Sequence, residues 1–247
     1  MTFFVSVSTR ESGSLADYAV LNMDGVAKKP EWLSFQHAAA LPIAYLTGYQ
    51  SLQMGNVKEG SSVLVIGASG GCGVAGVQLA NAMGATRIVG ICSGKNFDFV
   101  RDVSGIKKSE NLELVDYTDD DAMKKFREMN VGKFDCIYDT ATGSGKGENY
   151  TSTMPKLLKE KTGEYIQING TLVAWAKHFL GRRTGPQRRM VVTESTNSRL
   201  EDIVSLLQSS GAKPPLDVKS FDQKGVTDGF EQLKGRRTKG KIVFKMD

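Results

Sequence analysis

The chain has 247 residues, 40% of them apolar or aromatic, and a formal net charge of +5 at pH 7. That length supports one large domain or two with an ample core, no run approaches the roughly 20 apolar residues that span a bilayer, and so mild a charge suits an anionic cofactor but falls short of a nucleic-acid signature. The start, Met1-Thr2-Phe3-Phe4-Val5, has neither a basic n-region nor a long apolar h-region, and the spacing of Cys72, Cys92 and Cys136 fits neither a zinc ribbon nor a disulfide framework. Secretion is not indicated; the cysteines read as reduced thiols of a cytoplasmic or organellar protein.

In chain order, Gly13 to Val20 alternates like a strand, and Ala27-Lys28-Lys29-Pro30-Glu31-Trp32-Leu33 reads as an extended connector. Ser34 offers an N-cap to a largely apolar stretch, Phe35 to Met54, which Pro42 should divide into two helical pieces. Then comes the stretch that organises the rest. Val63-Leu64-Val65-Ile66 runs into Gly67-Ala68-Ser69-Gly70-Gly71-Cys72-Gly73 and an apolar pattern of helical period, which is a buried strand, a tight turn and a helix. Glycines let the backbone approach a phosphate closely, and the new helix turns unpaired N–H groups and its positive dipole end toward the negative charge. Small residues alone can also serve close helix–strand packing, but with strand and helix both in place a dinucleotide diphosphate is expected.

Strands are expected next at 86–92, 112–116, 134–139, 164–168 and 190–193, with helices at 71–83, 96–103, 119–129, 150–160 and 197–209. Asp119-Asp120-Asp121 reads as a dipole-matched helix start rather than a metal site. This alternation predicts an α/β fold, a doubly wound parallel sheet with a ligand crevice at the carboxyl ends of its strands. Ser104 to Asn111 reads as a charged surface loop. The stretch 171–189, with Lys177, Arg182, Arg183, Arg188 and Arg189, reads first as a solvated loop over the pocket, with attachment to an anionic membrane surface or RNA as the other readings. Phe221 to Leu233 reads as a loop and short helix, and Gly240 to Lys245 as a last strand that pairs with the one near the N-terminus.

The cofactor follows from charge. Counting about 20 residues beyond the glycines, where an NAD site places a carboxylate, reaches Ser93 in Cys92-Ser93-Gly94-Lys95-Asn96. A hydroxyl, a lysine and an amide there can bind a 2′-phosphate that a carboxylate would repel, so NADPH is expected. Lys95 as a solvated residue opening the next helix is the plainer alternative.

Several segments together resemble one family. Gly13-Ser14-Leu15-Ala16-Asp17-Tyr18, Ala38-Ala39-Ala40-Leu41-Pro42, Leu46-Thr47-Gly48-Tyr49-Gln50, the Gly67–Gly73 turn, Val115-Asp116-Tyr117 and Gly240-Lys241-Ile242-Val243 fall in the order seen in the medium-chain dehydrogenase/reductase superfamily. Cys92 to Val100 and Phe134-Asp135-Cys136-Ile137-Tyr138-Asp139-Thr140-Ala141-Thr142-Gly143 are similar to its zinc-independent quinone oxidoreductase and alkenal reductase branch, including chloroplast-envelope members.

The resemblance implies a Rossmann domain over 45–215, with remnants of a GroES-like β-rich catalytic domain at 1–44 and in a return segment at 216–247. Most of that catalytic lobe would be absent. It further implies that Thr47 lies near the nicotinamide and that Ser69, Gly70, Gly71, Cys72 and Gly73 take the diphosphate. Ser93, Lys95 and Asn96 would hold the 2′-phosphate end and Tyr117 the adenosine side, while Thr140, Ala141, Ile168 and Asn169 would flank the nicotinamide ribose and ring. Thr47 could equally bond its own helix backbone, and Tyr117 could be a packing residue after a strand. Where zinc-dependent relatives carry a cysteine ligand, four residues before Thr47, this chain has Ile43, so no metal is expected. No proton donor is assigned, Tyr45 being a weak candidate by position. The expected activity is hydride transfer from NADPH to a quinone, enone or enal. The alternative is a nucleotide-binding module without efficient turnover, membrane- or RNA-associated. A homodimer through the sixth-strand region, Met190 to Glu194, is the expected assembly.

Overall fold

A computed structural model describes residues 2–5, 18, 20, 23–106, 111–143, 149–235 and 238–246. The elements in order are β1 (Phe3–Val5), β2 (Val26–Lys28), α1 (Phe35–Ala40), α2 (Ala44–Met54), β3 (Ser62–Ile66), α3 (Gly71–Ala82), β4 (Arg87–Cys92), α4 (Phe97–Val103) and β5 (Leu112–Asp116). They continue with α5 (Asp120–Met129), β6 (Cys136–Asp139), β7 (Glu164–Gln167), α6 (Leu172–Phe179), β8 (Arg188–Met190), α7 (Asn197–Ser210), β9 (Leu216–Ser220), α8 (Gln223–Lys234) and β10 (Lys241–Lys245).

Six strands form one parallel sheet in the order β5-β4-β3-β6-β7-β8. The chain starts at β3 in the middle, builds outward to β5, and crosses back to lay β6 on the other side of β3. That reversal leaves a crevice at the carboxyl ends of β3 and β6. Both faces are covered, which is why β3 and β6 are almost unbroken apolar runs. Val63, Val65 and Tyr138 pack under Leu46, Leu79, Ile203 and Leu207 of α2, α3 and α7. Leu64, Ile66 and Ile137 face Met123 and Phe126 of α5, with Met154 and Leu157.

Local chemistry sets the element ends. Ser34 caps α1 by accepting the His37 N–H at 3.2 Å, and Asp119 caps α5 by accepting the Ala122 N–H at 2.9 Å. The Asp119–Asp121 cluster is therefore a helix start, with Asp120 and Asp121 in the first turn. Small residues let layers approach. A Cβ on Gly76 would stand 2.6 Å from Tyr138 Cδ1, so the ring of β6 packs directly on α3, and one on Gly48 would stand 3.5 Å from the Gly76 nitrogen, so α2 and α3 approach closely.

Four expectations change. The helix at 150–160 is two 3-10 turns, Tyr150–Ser152 and Met154–Leu157; Pro155 has no N–H to continue an α-helical ladder. The sixth strand pairs over Arg188–Met190, in register with Tyr165–Gln167, rather than over 190–193. Part of 171–189 is the helix α6, capped by Thr171; at eight residues it is too short for its period to stand out in a basic stretch. The last strand, β10, lies parallel to β9, whose alternation of Asp217, Val218 and Lys219 carries little apolar signal, while β1 pairs antiparallel with β2. The alternating segment 13–20 lies outside the described residues except Tyr18 and Val20, as do residues 107–110 of the surface loop.

One buried polar group ties four segments together. Gln78, fully buried in α3, accepts the Tyr45 hydroxyl at 2.7 Å and donates to the carbonyls of Val103 at 2.5 Å and Lys213 at 2.9 Å. Tyr45→Phe leaves the Gln78 oxygen unpaired, an expected loss of roughly 1–3 kcal/mol. Thermal unfolding should then shift down by roughly 2–4 °C per kcal/mol; an unchanged transition would show that this hydrogen bond contributes nothing net.

Candidate functional site

The glycine turn leaves β3 with Gly67 at φ +84°, a conformation that disfavours any side chain. Gly67 and Ala68 donate to the Ile91 carbonyl at 2.9 and 3.0 Å, and Gly70 donates back to the Gly67 carbonyl at 3.1 Å. Gly70 is the N-cap of α3 and offers no side-chain oxygen, so the first-turn N–H groups of Gly71, Cys72 and Gly73 have no intrahelical acceptor. A Cβ on Gly73 would run into the Gly67 carbonyl. The turn thus has glycine at 67, 70, 71 and 73 where α3 points its positive end outward.

The other expected site residues follow the carboxyl ends of the neighbouring strands. After β4, Asn96 donates to the Ser69 hydroxyl at 3.1 Å, and Lys95 is exposed beside it. After β5, Tyr117 is 42% exposed and donates its N–H to the Cys92 carbonyl. After β6, Thr140 donates to the Ile66 carbonyl at 2.7 Å, while Ala141 takes its turn from the buried Asp139 carboxylate, which accepts the Ala141 and Thr142 N–H groups at 2.9 Å each. After β7, Ile168 and Asn169 are half-buried, and Asn169 donates to the Gly143 carbonyl at 3.4 Å. Ser69 through Asn169 therefore share one edge of the sheet.

Thr47 is different. It is buried in α2, and its hydroxyl donates to the Ile43 carbonyl at 2.5 Å and accepts from the Thr193 hydroxyl at 2.6 Å. Both of its bonds are internal. They hold Ile43, at φ 60° and ψ −71°, in a tight turn closed by the Ala44 N–H on the Pro42 carbonyl at 2.7 Å. Positive φ at a β-branched residue costs on the order of 1–3 kcal/mol, and here it puts Ile43 at the edge of a cavity.

That cavity, of about 450 Å³, lies between the glycine turn, the start of α2 and the β9–α8–β10 segment. Its inner wall is Gly70, Gly71 and Cys72; its outer wall includes Phe230, Leu233, Thr238 and Lys241. The outer wall is pinned to the turn, because Gly240 donates to the Ser69 carbonyl at 3.2 Å and a Cβ on Gly71 would meet Lys241 Cδ at 2.9 Å. Lys241 and Thr238 are distant in sequence from the glycine motif, and only the parallel pairing of β10 with β9 brings them to it. A second residue that a linear count passes over is Asp116. Its carboxylate lies against Gly94 and accepts the Thr118 N–H at 2.8 Å and hydroxyl at 2.7 Å. Slight burial opposes ionisation, yet hydrogen bonds from Thr118 and the Gly94 N–H hold the carboxyl below the usual carboxylate range.

Other groups are turned away. Tyr45 is fully buried on Gln78, and burial pushes its hydroxyl far above the usual range, so it faces no ligand. Burial also pushes the Cys72 thiol up, against the pull of the Lys241 ammonium. Arg183 grips Glu164 through two hydrogen bonds of 2.9 and 2.7 Å, and Arg188 donates to the carbonyls of Thr151 and Thr184.

A parallel sheet in this strand order with a glycine turn at the reversal defines a dinucleotide-binding α/β protein of the Rossmann type. The chain belongs to the zinc-binding dehydrogenase family of medium-chain dehydrogenases/reductases, whose model matches residues 112–244, more than half of the chain. It is 34% identical over 240 residues to the 2-methylene-furan-3-one reductase of Solanum lycopersicum, covering 95% of this chain and 53% of that protein. To the NADPH-dependent alkenal/one oxidoreductase, chloroplastic, of Arabidopsis thaliana it is 29% identical, with 95% and 53% covered. The chain thus spans about half the length of these relatives. Among solved structures, the quinone oxidoreductase from Coxiella burnetii superposes with a TM-score of 0.71 at 24% identity, covering 92% of this chain and 66% of that one.

The family name carries zinc, but the donors here do not fit it. Among the described residues no three His, Cys, Asp or Glu side chains are placed to hold a metal ion. Ile43 has no donor atom, His37 Nδ1 is engaged by the Ser34 hydroxyl at 2.7 Å, and His178 packs on Trp175 and Phe179. The family also implies a nicotinamide cofactor, and the residues do fit one. The cradle has glycine at positions 70, 71 and 73, and two buried oxygens beside it, Asn96 Oδ1 and Thr238 Oγ1, have no hydrogen-bond partner.

Gly73→Ala tests the turn itself. Helix propensity alone would stabilise alanine by about 1 kcal/mol, whereas displacing the Gly67 carbonyl should destabilise by roughly 2 kcal/mol or more. A lower midpoint in chemical denaturation is expected; a higher one would mean that no close contact constrains the turn.

Proposed function

We propose that this chain binds NADPH along the carboxyl edge of the sheet and serves as a zinc-independent oxidoreductase acting on a quinone or an α,β-unsaturated carbonyl. The observation that carries this reading is the glycine-rich cradle at the start of α3, whose N-cap has no side-chain oxygen, with Ser93, Lys95 and Asn96 where an NAD site has a carboxylate. The names of the matched relatives, two of them reductases of conjugated carbonyls by name, support the acceptor class.

When bound, the dihydronicotinamide supplies a hydride, two electrons to the electron-poor carbon of the acceptor, with the balancing proton taken from solvent. The chain's own residues bind, orient and exclude water. The N–H groups of Gly71, Cys72 and Gly73 face the diphosphate, and the Lys241 ammonium balances its charge. Lys95 and Ser93 take the 2′-phosphate, the Lys95 ammonium offsetting the negative charge of Asp116 beside Gly94. Thr140, Ala141, Ile168 and Asn169 border the nicotinamide ribose, and Thr47 acts at one remove by fixing Ile43. In this reading 45–215 is the nucleotide-binding domain, and 1–44 and 216–247 belong with a catalytic lobe.

The second reading, a nucleotide-binding module without efficient turnover, is favoured by the openness of the cavity, where Ile43, Phe230 and Leu233 are 52%, 47% and 57% exposed.

Titration of the chain with NADPH and NADH tests the binding. NADPH should bind more tightly. Lys95→Ala should weaken NADPH by about tenfold or more and leave NADH nearly unchanged, as expected for one lost charge-assisted contact. Lys241→Ala should weaken both nucleotides. Binding of neither by the unaltered chain would overturn the reading, and binding without NADPH oxidation in the presence of a quinone or an enal would select the second one.

A further inference from the structure

Sheet pairing supplies a carboxylate at a place where counting along the chain finds none. The register of β4 with β5 sets Asp116 opposite Cys92, so its carboxylate stands at the end of β4, one residue short of Ser93. Gly94 makes room for it. A Cβ on Gly94 would run into Asp116 Oδ2. Other carboxylates nearby are committed elsewhere: Asp98 pairs with Arg101 at 3.3 Å, and Asp119 caps α5 through the Ala122 N–H at 2.9 Å.

A carboxylate offers about four acceptor sites. Oδ1 takes the Thr118 N–H at 2.8 Å and the Thr118 hydroxyl at 2.7 Å, and the Gly94 N–H donates to the group from the side of β4. That leaves Oδ2 able to accept once more. Asp116 is half-buried, and among the described residues no Lys, Arg or His forms an ion pair with it. Asn96 points the same way. Its Nδ2 donates to the Ser69 hydroxyl, while its buried Oδ1 has no partner. Two acceptors short of donors therefore lie at the 2′-phosphate end of the cradle. A largely dianionic phosphate is itself an acceptor and does not satisfy a carboxylate; a ribose hydroxyl does.

We propose that Asp116 gives the cradle a second cofactor, NADH, by accepting the 2′-hydroxyl of its adenosine ribose. Asn96 Oδ1 accepts the neighbouring 3′-hydroxyl, which NADH and NADPH share. The two nucleotides then use different groups around Gly94: Lys95 draws the 2′-phosphate of NADPH, and Asp116 binds the hydroxyl that stands in its place in NADH. This inference rests on the dinucleotide reading given above and adds a carboxylate that β5, not β4, provides.

The test is equilibrium titration of the full chain with NADH and NADPH, followed by nucleotide fluorescence, for the unaltered chain and for Asp116→Ala, Asp116→Asn and Lys95→Ala. The unaltered chain is expected to bind both. Asp116→Ala should weaken NADH about tenfold or more, as for the loss of a hydrogen bond to a charged group. NADPH should bind that variant as tightly as before or tighter, because a negative charge beside its phosphate is gone. Asp116→Asn keeps the size of the side chain and should move both nucleotides in the same directions by smaller factors. Lys95→Ala should do the reverse and weaken NADPH alone. An unchanged thermal transition confirms the fold of each variant. If Asp116 only supported the loop at Gly94, its replacement would weaken both nucleotides together. That outcome overturns the proposal, as does NADH binding that neither Asp116 variant alters, or NADPH binding without NADH binding; each leaves the dinucleotide reading standing. Binding of neither nucleotide by the unaltered chain overturns both.

Discussion

The architecture depends on one close contact, the approach of Gly73 in α3 to the Gly67 carbonyl at the end of β3, with no Cβ on either. Because that space is empty, α3 starts immediately beside the strand it follows and packs down on the sheet through Gly76 and Tyr138. The same geometry leaves its first N–H groups without acceptors. Close packing and anion affinity are two results of one absence of side chains.

Neighbouring segments are fastened to this turn. Asn96 ties the end of β4 to Ser69, Thr140 ties the end of β6 to Ile66, and Gly240 ties the distant return segment to the Ser69 carbonyl. Each bond is ordinary in strength, about 1 kcal/mol net. Together they fix the spacing between the cradle and the loops after β4 and β6, which governs the ligand that the edge can accept.

The central fold was legible in the sequence because a parallel strand buried on both faces must be apolar throughout, as Val63 to Ile66 are. The helix after the glycines is marked by a run of small and apolar residues, and it is buried without a break from Gly73 to Ala80. The family was legible for a different reason, several short segments in one order. What escaped lacks a periodic signal. Polar alternation hides β9, Pro155 breaks a helix that composition favours, and α6 is too short for its period to stand out. At the candidate site, Ser69 and Asn96 could be placed from the glycines and the count beyond them, and Thr140 only from the resemblance to the family. Lys241, Thr238 and Asp116 could not, because their proximity is made by sheet pairing and by a turn around Gly94. Thr47 makes the bond to its own helix backbone that its position also allowed, its hydroxyl being held by Ile43 and Thr193.

The central claim is that the turn from Gly67 to Val74 and the segment from Ser93 to Asn96 form one nucleotide cradle. Amide hydrogen exchange of the full chain, with and without NADPH, tests it most directly. The account predicts slowed exchange at the amides of residues 71–73 and 93–96, with little change in α5 or at the far edge of the sheet. Protection that leaves 71–73 untouched, or that falls elsewhere on the surface, would contradict it.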